Sequence, residues 1–209
     1  MVEVNLKRPA LAHLGLEAAA ADFRAQEHGV ALGETPFRAA INLRGQPSNT
    51  ALMKAFAKVL GVDLPHTPNT IAKAGDISVL WLGPEEWLAT GPEEAEERLE
   101  HDLREAAGDH FASVSNVSDN YTALRISGPA ARATLEKGCP LDLHPRVFGI
   151  GSCAQSLVSK TAVILERLEA DEGEEWCYRL HVRRSFADYL WRWLQDAARE
   201  YGVTVLKSS

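Results

Sequence analysis

Residues 149–154 read Gly-Ile-Gly-Ser-Cys-Ala, the G-x-G-x-x-A spacing of a dinucleotide-binding loop. Such a loop works where a strand leads in and a helix N-terminus follows, aimed at a pyrophosphate. Here the lead-in, Asp142 to Phe148, contains Pro145 and reads as a loop, and Gln155-Ser156-Leu157-Val158 reads as a strand. Neither condition is met, so the motif reads as a glycine-rich turn. The seven histidines, His13, His28, His66, His101, His110, His144 and His181, contain no H-x-x-x-H pair, the helical spacing of a zinc site. Cys139, Cys153 and Cys177 are odd in number and widely spaced, which fits neither a disulfide framework nor a C-x-x-C centre and suggests a reducing compartment. Cys139 follows a helix end, where the dipole disfavours a thiolate, so it reads as structural. No G-x-S-x-G elbow is present. The expectation is a chain with no catalytic, cofactor-binding or metal residues of its own, which favours a binding or structural subunit over a free-standing enzyme.

Two features suggest contact surfaces instead. Residues 93–105 carry seven acids against Arg98 and Arg104. Acids at a helix N-terminus suit the macrodipole. They form either a solvated face or a dock for a basic partner, with Glu93, Glu97 and Glu100 as the candidate contacts. Trp191 is predicted to lie about 110° from the centre of the last helix's apolar stripe at 100° per residue. An exposed Trp is a typical interface anchor; the other reading is a core contact at the stripe's flank.

These residues need elements to position them. The chain has 209 residues, 45% hydrophobic and 24% charged, an ordinary globular balance. A chain this long buries about 70% of its unfolded surface and needs no staples. With 22 basic and 29 acidic residues its formal charge is −7, which argues against a nucleic-acid partner and weakly against an anionic membrane. No secretory h-region and no 18-residue apolar run is visible, so the expectation is a soluble cytoplasmic protein without a membrane segment.

An N-terminal arm, residues 1–35, gives little pattern beyond Leu11, Leu14, Leu16 and the Ala18–Ala21 run towards Asp22-Phe23. From residue 36 a single α+β domain is predicted. Phe37–Leu43 alternates as a strand. Ser48 is placed to cap a helix whose buried face is Leu52, Phe56, Val59 and Leu60, ended by Gly61 in the left-handed region. Ile77–Leu82 and Trp87–Thr90 read as strands, and Gly91-Pro92 opens a helix running to about Ala107. The order then recurs. Thr122–Ser127 is a strand, and Gly128-Pro129 opens a helix ending at Gly138. Gln155–Val158, Thr161–Glu166 and Trp176–Val182 are strands. The last helix is predicted to be capped by Ser185, with Asp188 in a capping box, and to bury Phe186, Leu190, Trp193, Leu194, Ala197 and Tyr201. Gly45 with Gly128, Asp63 with Asp142, and Leu99 with Leu190 pair at offsets of 83, 79 and 91. The prediction is therefore an internal duplication with halves of about 36–110 and 111–209, each with helices on one face of a mainly antiparallel sheet.

Several segments resemble one family closely. They are Leu124-Arg-Ile-Ser-Gly-Pro129, Ala131-Arg132, Lys137-Gly-Cys-Pro-Leu-Asp-Leu-His-Pro145, Gly151-Ser-Cys-Ala-Gln155, Arg184-Ser-Phe-Ala187 and Leu190-Trp-Arg-Trp-Leu194 ahead of Asp196-Ala-Ala198, with Leu82-Gly-Pro-Glu-Glu-Trp-Leu88 upstream. The chain resembles the gamma subunit of heterotetrameric sarcosine oxidase. The resemblance implies a duplicated ferredoxin-like fold similar to the folate-binding domain of aminomethyltransferases. It implies a complex with alpha, beta and delta subunits, alpha being the direct neighbour. That complex oxidises sarcosine to glycine and hydrogen peroxide and passes the one-carbon unit to tetrahydrofolate. It implies FAD, FMN and NAD in alpha and beta, zinc in delta, and no cofactor in gamma. In aminomethyltransferase-like domains an Asp-Val-Ser-His type segment handles the folate intermediate; here it reads Asn116-Val117-Ser118-Asp119. The amide of Asn116 cannot act as a base near pH 7, and Asp119, three residues on, would face the other side of an extended strand. The resulting expectation is a non-catalytic structural subunit; the alternative is a stand-alone tetrahydrofolate-binding module.

Overall fold

Alternation decides where the first sheet faces. In residues 39–45, Ala39, Ile41 and Leu43 are fully buried on one side, while Asn42 and Arg44 point to the other. The computed structural model describes residues 7–20, 29–171 and 175–207; Asp22, Phe23 and His28 lie outside them. After a helical turn, α1 (Leu16–Ala19), come β1 (Val30–Thr35), β2 (Ala39–Gly45), α2 (Thr50–Leu60), β3 (Ile71–Ala74), β4 (Ile77–Gly83), β5 (Glu86–Gly91), α3 (Glu96–Ala107) and β6 (Ala112–Asn116). Then follow β7 (Tyr121–Ser127), α4 (Ala131–Glu136), β8 (Cys153–Val158), β9 (Thr161–Leu168), β10 (Cys177–Arg183), α5 (Ala187–Ala198) and β11 (Val203–Val205).

The strands form two sheets, ordered β3-β4-β5-β2-β6 and β8-β9-β10-β7-β1-β11. All pairings are antiparallel except β1 with β11. The two halves share one order, strand–helix–three strands–helix–strand, and Leu99 of α3 and Leu190 of α5 are both fully buried. The fold is α+β with antiparallel sheets, as the halves predicted.

β1 departs from that symmetry. Residues 30–35, read as the end of an arm, lie between β7 and β11, with Ala31 opposite Ser127 and Val30 opposite Val203. Its residues are buried on both faces, so no period-2 signal marks them as a strand.

The layers run helix, sheet, sheet, helix. Leu52, Met53, Phe56 and Leu60 of α2, with Leu99 and Leu103 of α3, pack on Ile41, Leu43, Val79 and Trp87. Leu190, Trp191 and Leu194 of α5 share the second core with Leu135 of α4 and with Leu124, Leu165 and Leu180. A small apolar centre, Ala40, Leu80, Leu88, Cys153 and Ile164, lies where the sheets face one another.

Local signals were shifted in places. Gly61 ends α2 at φ +74°, its N–H bonded to Ala57 O, as predicted. The α2 cap is Asn49, not Ser48: the Asn49 side chain accepts from the Leu52 N–H at 3.1 Å. Val59 is only half-buried and Met53 takes its place on the buried face. Pro92 stands outside the helix, before a 3-10 turn at Glu93–Ala95. Ser185 caps nothing, because it sits inside the 3-10 turn Arg184–Phe186. Asp188 instead accepts from Arg192 Nε and contacts His13 Nε2, each at 2.8 Å.

Candidate functional site

The inward faces of the sheets carry the chain's unusual chemistry. Towards the β2 N-terminus, Glu166 of β9 is fully buried and lies directly opposite Arg179 of β10. Its Oε1 meets His181 Nε2 and lies 3.7 Å from Arg179 Nη1. Burial pushes the Glu166 carboxyl up, but the charge and hydrogen bond of His181, with Arg179 and Arg38, outweigh it and hold the group down to about 2. Arg38 is itself pushed down by burial and by Arg179. Cys153 is the cross-strand neighbour of Glu166. Burial, then the Glu166 charge, raises its thiol to about 12, and Sγ is 3.4 Å from Thr70 O. A thiol held neutral in this way is a packing group.

Towards the other end the sheets part around a cavity of about 510 Å³. Leu82, Leu88 and Val117 give it an apolar wall; Arg44, Asn120, Tyr121 and Arg183 give it a polar one. Asn42 Nδ2 donates to Glu86 Oε1 at 2.9 Å, and Gln155 Nε2 donates to Leu82 O at 2.9 Å, which ties β8 to β4 across the wall. The arrangement can hold a small polar molecule by charge and hydrogen bonding.

The Gly149–Ala154 motif belongs to the scaffold. Gly151 donates to Arg167 O, and its carbonyl accepts from Ile71 N; Cys153 N donates to Asn69 O. The motif joins the two sheets at an isolated bridge, Thr70 with Ser152, and runs into β8, not a helix.

Against this geometry, a family model described as sarcosine oxidase, gamma subunit family, matches residues 44–200. The chain belongs to that family. Curated gamma subunits of sarcosine oxidase from Corynebacterium sp. strain U-96 and strain P-1 are 37% and 38% identical to it. The first alignment covers 95% of this chain and 93% of the relative, the second 82% and 81%. A solved heterotetrameric sarcosine oxidase from Corynebacterium sp. U-96, in complex with pyrrole 2-carboxylate, superposes at a TM-score of 0.82 and 34% identity, over 94% of this chain and 97% of that one. Aminomethyltransferase T of the glycine cleavage system from Bartonella henselae superposes at 0.70 over 97% of this chain and 60% of that one. At 13% identity it shares the fold with this gamma-family chain.

The predicted contact residues of this gamma-family chain fare unequally. Trp191 is 1% exposed and belongs to the second core, so it is not a free surface anchor on the described chain. The α5 stripe is Ala187, Leu190, Trp191, Leu194 and Ala198. Trp193 and Ala197, which pulled the predicted stripe away from Trp191, are only half-buried; Phe186 and Tyr201 lie in flanking 3-10 turns, and Phe186 is 48% exposed. Glu93 pairs with Lys7 at 3.2 Å. Glu100 holds Arg104 at 2.7 Å and accepts from Asn116 Nδ2 at 2.8 Å. Glu97 is exposed.

Asn116 is used structurally. Its amide donates to Glu96 and Glu100, and its Oδ1 accepts from Ser118 N. Asp119 is exposed in a 3-10 turn, so the segment is not extended there. His101, Asp102 and Glu105 gather donor atoms within 4.8 Å on exposed α3, an arrangement accounted for by i,i+4 pairing of His101 with Glu105 and of Arg98 with Asp102.

The inward charges were missed by sequence reasoning. The signal was present: Arg179, His181 and Arg183 recur every second residue in a strand whose alternate positions, Tyr178, Leu180 and Val182, are fully buried.

Proposed function

We propose that this chain is the non-catalytic gamma subunit of a heterotetrameric sarcosine oxidase, packing against the alpha subunit in a complex with beta and delta. The observation that carries this reading is the gamma-family match over residues 44–200, together with a relative aligned along 95% of the chain. The complex oxidises sarcosine to glycine and hydrogen peroxide and transfers the one-carbon unit to tetrahydrofolate. FAD, FMN and NAD reside in alpha and beta and zinc in delta, in the cytoplasm. Supporting the non-catalytic part, the buried Glu166, His181 and Cys153 are engaged with one another or with backbone, and Asn116 offers an amide where a carboxylate base would stand. Among the described residues no helix is long and apolar enough to cross a membrane.

The test is a tagged pull-down of the full chain from its native cells, reading partner masses and flavin absorbance together. The expected eluate is yellow and contains one large, one medium and one very small partner. A colourless single band at every salt concentration overturns the subunit reading.

A further inference from the structure

We infer that the cavity between the two sheets is a binding site for a small organic dicarboxylate. Each sheet supplies one arginine to it, Arg44 from the end of β2 and Arg183 from the end of β10. In the β-ladder Arg44 lies directly opposite Glu86, an arrangement that ordinarily forms a cross-strand ion pair. Glu86 instead accepts from Asn42 at 2.9 Å. It is the one carboxylate among the described residues lining the cavity. Both guanidinium groups are thereby left without a carboxylate among the described residues. The cavity is cationic within a chain of net charge −7, so its sign is a local feature and not the background of the surface.

The ligand class follows from what surrounds those cations. Two guanidinium groups on facing sheets suit two separate carboxylates, each able to take a bidentate pair. Leu82, Leu88 and Val117 in the same lining suit a short hydrocarbon spacer. The lining comes from strands and a turn, not from a helix N-terminus, the usual cradle of a phosphate. The volume, about 510 Å³, lies inside the usual range of about 300–1,000 Å³ for small-molecule pockets. The strands that carry the site are fixed: Arg44 and Arg183 pair in register with Glu86 and Tyr121, and Gln155 ties β8 to β4 by its bond to Leu82 O.

The test is thermal unfolding of the full chain with succinate, glutarate and adipate at constant ionic strength, with propionate as the single-acid control. A saturable rise in midpoint with at least one dicarboxylate, well above that with propionate, is expected. R44Q and R183Q should each weaken that apparent affinity about tenfold or more. Both residues are exposed, so the ligand-free midpoints should stay near wild type; R44K, which keeps the charge and loses the fork, should fall between. No saturable rise with any of the three acids, or a rise that survives both glutamine variants, overturns the proposal. Equilibrium dialysis of labelled dicarboxylate against the purified assembly is the second measurement. Binding retained there supports the site; binding by the free chain that vanishes on assembly shows a partner filling the cavity and overturns it.

Discussion

Glu166 and His181 meet between the two sheets, carboxylate Oε1 against imidazole Nε2, with side chains 0% and 3% exposed. They are diagonal cross-strand neighbours, since Glu166 lies opposite Arg179, two residues before His181. One buried carboxylate thus answers cations from β10 and from Arg38. Removing one partner of such a group leaves the others uncompensated in a poorly solvated space, which costs roughly 3–5 kcal/mol. Glu166→Gln should therefore lower the urea midpoint strongly while leaving the urea m-value unchanged.

The same group gives a pH dependence. Glu166 titrates near 4.5 when unperturbed and at about 2 in the fold. Its contribution to stability is then present above pH 4.5, where both states are ionised. It is lost as pH falls from about 4.5 to about 2, because the unfolded chain takes up the proton first. Urea midpoints measured across that window should drop steeply for wild type and less for Glu166→Gln. Parallel slopes for the two proteins would remove Glu166 from the acid transition.

Trp191→Ala should damage the fold before it damages assembly. The indole is 1% exposed among Leu135, Leu190 and Leu194, and large-to-small changes of aromatic core residues cost roughly 3–5 kcal/mol. The free chain should lose much of its thermal midpoint and of its near-UV circular dichroism. A variant as stable as wild type that fails only to assemble would return Trp191 to the interface.

The duplicated plan was readable because its signals are local. Gly61 needs the left-handed region, and the buried faces of α2 and α3 follow a 3.6-residue period. Four strands lacked such a signal. β3 has four residues and β11 three, β6 is Ala-Ser-Val-Ser-Asn, and β1 is covered on both faces, so pairing across the sheet defines them. The face of Trp191 was misread because Trp193 and Ala197, both only half-buried, were counted in the stripe in place of the small, fully buried Ala187 and Ala198. The cavity arginines became visible only when two strands from different halves were brought face to face.

The segment around residues 7–19 is strapped across both halves, and Glu34 is its buckle. The Glu34 carboxylate, 2% exposed, accepts from Ala10 N at 3.0 Å, Leu11 N at 3.2 Å and Thr122 Oγ1 at 2.7 Å. Lys7 reaches Glu93 and Glu96 beside α3, and His13 reaches Asp188 on α5. Glu34→Ala leaves those donors unpaired, at about 1–3 kcal/mol for a buried group. Hydrogen exchange at Leu11 and limited proteolysis of the strap should accelerate, while amides of β9 and β10 keep their protection. Uniform acceleration would mean that the strap opens only with the whole fold.

Charge reversal on α3 separates a docking role from a folding role. Glu100 accepts from Asn116 Nδ2 at 2.8 Å and holds Arg104 at 2.7 Å, so Glu100→Arg should cost about 1–2 kcal/mol in folding stability. Glu97 stands exposed on the same helix, and Glu97→Arg should leave stability within about 0.5 kcal/mol. If the acidic face docks on a basic partner, Glu97→Arg should slow association with the other subunits and flatten its salt dependence, as a rim charge does. Surface plasmon resonance at two ionic strengths reads both effects. Association indistinguishable from wild type at low and high salt would make the acidic face of α3 a solvated one, its charges serving the helix and the Lys7 strap instead of a partner.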